Sequence, residues 1–217
     1  MKKLLLGIAA VCLAGFTFAQ DAPLWMRHSV ISPDGTTIAF TYKGDIYTVP
    51  VAGGRAMQIT TNPAYDTAPV WSPDSKRIAF ASDRMGSLDV YIVTKDGGEP
   101  RRLTTHSGSE TPLAFTDAGH VLFSAGIMPS AEAVVFPSNG QFNQVYRVSV
   151  EGGRPTMISS MPMECISINK EGAMLYQDKK GYEDYWRKHH VSPIARDIWM
   201  YTPGKEPPAD HFRRRRP

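Results

Sequence analysis

Five neighbouring residues come nearest to a catalytic set: His106-Ser107-Gly108-Ser109-Glu110 supplies a base, two hydroxyls and a carboxylate. A serine nucleophile needs its base and an oxyanion hole assembled in space, not along one loop. No Gly-x-Ser-x-Gly elbow occurs in the chain. The stretch repeats the character of Asn62 to Thr67 and reads as a hydrogen-bonded loop. His189-His190 suggests metal chemistry, but adjacent side chains on a strand point to opposite faces. There is no His-Glu-x-x-His and no second pair at ligand spacing, so neither a metal nor a cofactor is expected. Trp186, Arg187, Lys188, His189 and His190 form a charged loop and the candidate recognition loop. Such a loop suits a peptide carboxylate or a neighbouring domain. Asp83-Arg84 sits where a loop turns, with Asp83 or Asp89 as the expected partner of Arg84. Phosphate-loop, dinucleotide and RNA-binding patterns are missing.

Charge narrows the partners further. The 217 residues carry a formal net charge of +3. Lys2 and Lys3 lie at one end, and Lys205 with Arg213 to Arg216 at the other. Without the two ends, acids outnumber bases, so the body has no polyanion-binding character and no nucleic-acid partner is expected. The hydrophobic fraction of 42% is too high for a disordered chain, and 18 glycines with 17 prolines argue against a helical bundle.

Residues 1–19 read as a secretory signal: Met-Lys-Lys, an apolar run from Leu4 to Phe18, then Ala19 before Gln20. The run is short for a membrane span, so cleavage between Ala19 and Gln20 and a periplasmic or secreted location are expected, with no membrane span afterwards. Cleavage would leave Cys165 as the lone cysteine, unable to form an internal disulfide. Its setting, Met161 to Ile168, reads as a buried strand, which predicts an inert thiol.

These residues must be positioned by a repeat. Ile31-Ser-Pro-Asp-Gly-Thr-Thr-Ile-Ala-Phe40 recurs as Trp71-Ser-Pro-Asp-Ser-Lys-Arg-Ile-Ala-Phe80. Weaker copies run from Phe115 to Phe123 and from Ile168 to Tyr176. A second motif follows each copy: Asp45-Ile-Tyr, Asp89-Val-Tyr, Gln144-Val-Tyr and Asp197-Ile-Trp. A Gly-Gly turn comes third, at Gly53-Gly54, Gly97-Gly98 and Gly152-Gly153. Ser32, Pro33, Asp34 and Gly35, like Ser72, Pro73 and Asp74, form a structural turn motif. Proline presets φ at its first central position and glycine accepts a positive φ. Asp-apolar-aromatic alternates with period two, as a half-buried strand does.

Each unit thus holds about four short strands, and tandem units of about 40–45 residues are β-propeller blades. The expected fold is all-β, an incomplete propeller of about four four-stranded blades within 20–204, cut near 24–69, 70–112, 113–166 and 167–204. The third and fourth units carry insertions, Gly126 to Phe142 and Gly181 to Arg196, of the kind that forms a binding face. An open ring leaves edges unpaired, which makes a homo-oligomer a candidate state.

Trp71 to Thr105 resembles the TolB-type propeller repeat. The longer run, with Pro23-Leu-Trp-Met-Arg27, Asn62 to Pro69, Thr105 to Pro112 and Glu183 to His190, is similar to the amino-terminal propeller of tricorn-like proteases. The resemblance implies a large secreted or periplasmic serine peptidase. Its propellers would filter peptides or unfolded polypeptides for a carboxy-terminal catalytic domain. No catalytic residue of that domain can be placed here. The implied role is a non-catalytic recognition or gating segment. The alternative is a TolB-like periplasmic protein-interaction module with no protease attached. Residues 205–217 do not resemble a blade strand and read as the atypical basic tail of a truncated chain, translated out of frame.

Overall fold

The computed structural model describes residues 24–126, 143–159, 163–169, 171–178 and 198–202. The leader and tail expected at 1–19 and 205–217, and the recognition loop 186–190, lie outside the described residues. Among the described residues all regular structure is β. The strands are β1 (Arg27–Ile31), β2 (Thr37–Tyr42), β3 (Asp45–Pro50) and β4 (Met57–Gln58). Next come β5 (Asp66–Trp71), β6 (Arg77–Ser82), β7 (Asp89–Thr94) and β8 (Arg101–Arg102). A third set is β9 (Glu110–Asp117), β10 (His120–Ala125), β11 (Gln144–Ser149) and β12 (Thr156–Ser159). The last is β13 (Met163–Ile168), β14 (Met174–Asp178) and β15 (Ile198–Tyr201).

Each set is one antiparallel sheet with strands in sequence order: three have four strands and the last has three among the described residues. Neighbouring sheets meet through their first strands, β1 on β5, β5 on β9 and β9 on β13. This is the serial packing of propeller blades. The expected cuts at 69/70, 112/113 and 166/167 run through β5, β9 and β13, and are corrected. The chain changes sheet earlier, in the linkers before Asp66, Glu110 and Met163. The Ser-Pro-Asp turn joins the first and second strands of one blade, so it lies inside a blade and not at its border.

The two main repeat motifs meet face to face. Phe40 lies opposite Tyr47, Phe80 opposite Tyr91, Phe123 opposite Tyr146, and Tyr176 opposite Trp199. The first three pairs stack with centroids 5.8, 6.0 and 5.7 Å apart. Such cross-strand aromatic pairs contribute roughly 0.2–1 kcal/mol each. In the second blade, Ile78, Phe80, Tyr91 and Val93 pack with Ala39, Ile46 and Ile59 of the first. Its alternate residues Ala79, Val90, Ile92 and Leu103 pack with Phe115, Val121, Phe123 and Tyr146 of the third. The strand read as half-buried is therefore buried on both faces: in β7 only Thr94 is exposed. A sheet sandwiched between two others has no solvent face.

The Ser-Pro-Asp turns are held by side chains as well as backbone. The Ser32 hydroxyl donates to Asp34 Oδ1 (2.5 Å) and accepts from the Thr37 amide (3.0 Å). The Gly35 amide donates to the Ser32 carbonyl at 2.8 Å, and Gly35 takes φ 73°. Ser72 repeats this with Asp74 (2.5 Å) and the Arg77 amide (2.9 Å). Here Ser75 stands in the glycine position with φ 57°. Its hydroxyl accepts the Asp34 amide at 3.1 Å, tying one blade's turn to the next.

The first strand of a blade carries a feature the alternation does not reveal. Register shifts occur between Arg27 and Val30, Thr67 and Val70, and Glu164 and Ser167. At each, one residue adopts a positive φ: His28 (50°), Ala68 (51°) and Cys165 (52°). A bulge inserts one residue and breaks the two-residue period beyond it. Cys165 is consequently exposed, which corrects the buried, inert thiol expected from its apolar neighbours.

Candidate functional site

The strand directions divide the propeller into two ends. The Ser-Pro-Asp and Gly-Gly turns occupy one. The other carries the β2–β3 and β6–β7 connections, the linkers into β5 and β9, and the strand ends flanking both insertions. Ala125 lies opposite Glu110, and Asp178 opposite Met163, so the chain leaves for each insertion beside the start of a first strand. The candidate site is this second end.

Acids line its blade seams. Asp66 opens β5, is fully buried, and pairs with Arg84 at 2.8 Å. Arg84 also donates to the Ser82 hydroxyl at 3.0 Å. Its guanidinium lies over the rings of Phe80 (5.5 Å) and Tyr91 (5.0 Å). This corrects the expected pairing of Arg84 with Asp83 or Asp89. Asp83 instead accepts the Tyr65 amide (2.7 Å), and Asp89 ion-pairs with Arg102 (2.9 Å). The reason is strand register within the blade: Asp66 of β5 lies opposite Ser82 of β6, two residues before Arg84.

A threonine just past each outer strand bonds to the third strand near its leading acid. The Thr60 hydroxyl accepts the Ile46 amide (3.0 Å) and donates to Asp45 (3.3 Å). Thr104 accepts the Val90 amide at 2.9 Å. Burial raises the carboxyl pKa of Asp45 and of Asp89, opposed by Thr60 and by Arg102 respectively. Sequence reasoning missed these buried acids. The signal was present in the matching linkers, Tyr65-Asp-Thr-Ala-Pro69 and Ser109-Glu-Thr-Pro112, which place an acid at the same repeat position.

His106 Nδ1 accepts the Gly108 amide at 3.1 Å, while Glu110 is fully buried in the seam. Among the described residues no group of three or more His, Cys, Asp and Glu side chains is placed to hold a metal ion. At the same end, a pocket of about 370 Å³ is lined by Trp25, Arg27, Thr41, Lys43, Gly44 and Tyr65. Trp25 is 70% exposed with Arg27 lying 5.3 Å from its ring centroid, and Lys43 stacks over Tyr42 at 5.3 Å. Two cations, one over the exposed Trp25 ring and one over the half-buried Tyr42 ring, make a surface able to hold polypeptide side chains and carboxylates. No helix among the described residues is long and apolar enough to cross a membrane.

Serial antiparallel blades, packed on one another through clusters of aromatic and aliphatic side chains, define a β-propeller. The chain belongs to the tricorn protease N-terminal beta propeller domain family, whose model matches residues 23–210. It is 25% identical over 180 residues to Tricorn protease homolog 1 of Streptomyces coelicolor, covering 82% of this chain and 16% of that protein. It is 44% identical over 55 residues to the Tol-Pal system protein TolB of Bordetella pertussis, covering 25% of this chain and 13% of that protein. The crystal structure of TolB from Acinetobacter baumannii shares the fold, with a TM-score of 0.56 at 18% identity over 81% of this chain and 40% of that one. The match thus spans under a fifth of the length of each of these two curated relatives.

Proposed function

We propose that this propeller is the substrate-recognition segment of a tricorn-like serine protease, itself non-catalytic. It receives peptides or unfolded polypeptides on the end carrying the linkers and insertions, and a catalytic unit outside residues 24–202 cleaves them. One observation carries this reading: the aromatic, cationic pocket and the strands flanking both insertions share one end. The insertion 181–196 holds the Trp186 to His190 loop, which we assign to the same recognition surface. The amino-terminal leader supports action in the periplasm or outside the cell.

Anisotropy of fluorescein-labelled denatured casein tests the proposal directly. The purified chain is expected to bind without cleaving it, and Trp25→Ala with Arg27→Ala to weaken binding about tenfold, equivalent to about 1.4 kcal/mol. Absence of binding, or cleavage that survives a serine-protease inhibitor control, would count against it.

The 44% identity to a TolB protein favours a second reading, a protein-interaction module of the TolB type. Under that reading the propeller binds a folded partner and ignores denatured casein. A serine-peptidase coding segment downstream in the same gene would favour the protease reading over this one.

A further inference from the structure

Asp66 and Glu110 occupy equivalent places. Each begins the first strand of its blade and is fully buried. The amide of each donates to a carbonyl of the preceding blade's second connection, Asp66 to Gly44 and Glu110 to Leu88, both at 2.7 Å. Their surroundings differ. Asp66 lies opposite Ser82 and has Arg84 at 2.8 Å. Glu110 lies opposite Ala125, and the repeat places Ile127 in the sequence position of Arg84. Residues 127–142 contain Glu132 and no lysine or arginine.

Among the described residues, both carboxylate oxygens of Glu110 are buried and lack an aligned hydrogen bond. Among the same residues, the charged groups facing it are Asp89 from β7 and Arg102 from β8, with the Thr104 hydroxyl beside it. Arg102 is already committed to Asp89 at 2.9 Å, and His106, in the same linker, acts on Asp89. An ionised Glu110 would therefore put two carboxylates and one guanidinium in a dry seam. Burial pushes the Glu110 carboxyl up to about 7, and the Asp89 carboxylate adds to the rise.

We propose that Glu110 is a proton-dependent latch between the second and third blades. Neutral, it lies in the closed seam; ionised, it loosens linker 103–109 and the start of β9. The linker borders the end from which the chain leaves Ala125 for its insertion, so the switch acts on the face assigned above to recognition. The latch itself does not depend on that assignment. Because the folded-state pKa lies above the unfolded value of 4.5, the folded chain retains a proton that the unfolded chain has released. Stability of the seam is highest below that window and falls as pH rises through about 7.

Hydrogen exchange of the full chain at about pH 5.5 and about pH 8, corrected for intrinsic rates, tests this. Peptides covering 103–112 are compared with those covering 59–68, where Asp66 keeps its arginine. Protection of 103–112 is expected to fall about tenfold at the higher pH, while 59–68 holds. Glu110→Gln is expected to abolish the difference, and His106→Gln to preserve it. Equal protection of 103–112 at both pH values overturns the proposal. So does a pH dependence that survives Glu110→Gln or disappears with His106→Gln.

Discussion

At the scale of single residues, the site around Asp66 holds a buried ion pair. Asp66 is fully buried and the Arg84 side chain is 11% exposed, so neither charge is satisfied by bulk water. Arg84→Met would keep much of the stacking on Phe80 and Tyr91 but leave a buried carboxylate unpaired. We expect a loss of about 3–5 kcal/mol, read by denaturant unfolding. Arg84→Met combined with Asp66→Asn should recover part of that loss, since the uncompensated charge is gone. Cys165 makes a simpler test. Its exposure predicts that, in a Cys12→Ala background, one thiol titrates with a disulfide reagent without denaturant. A thiol that reacts only after unfolding would contradict the bulge geometry. Glu164 and Ser167 frame that bulge, and no alternation of apolar and polar residues reveals it.

At the scale of elements, the Ser-Pro-Asp turns were legible in the sequence because their residues perform local chemistry. Proline, a hydroxyl, a carboxylate and a positive-φ residue have to stand within four positions for the turn to close. The hydrogen bonds from Ser32 to Asp34 and from Ser72 to Asp74 lower both aspartate pKa values. Their stabilisation is thus present above the unfolded value of 3.8 and is lost as pH falls through the lower folded values. Ser75 adds a non-local bond, to the Asp34 amide at 3.1 Å, while holding φ 57°. Ser75→Ala removes the bond and keeps the strain, for an expected loss of about 1 kcal/mol. Ser75→Gly relieves the strain and should fall closer to wild type in a thermal melt. The partners of Arg84 and Asp89 were not legible, because the pairing register within the blade decides which residues of β5 and β8 stand beside them.

At the scale of the whole molecule, stability comes from the clusters between successive sheets. Phe80 is fully buried, stacked on Tyr91, and packed against the first blade. Phe80→Ala should cost about 3–5 kcal/mol and uncouple the first two blades in calorimetry. In contrast, Leu175, Ile198 and Met200 on the last sheet are about half exposed or more. They stand at repeat positions where Ala79, Val90 and Ile92 of the second blade pack against the third. That contrast shows how one repeat yields different environments: each blade is buried by its neighbours and not by its own sequence.

The amino-acid sequence by itself determined the all-β class, the blade repeat, its turns and the family resemblance. Each depends on residues close together in the chain, where φ preference, period-two alternation and short-range hydrogen bonds act. The tertiary structure alone decided the blade borders, the bulge that exposes Cys165, and the pairing of Arg84 with Asp66. It also separated Asp66, which is paired with an arginine, from Glu110, which among the described residues is not. These features depend on strand register and on packing between segments distant in the sequence, and desolvation there sets the charge balance that no local pattern encodes.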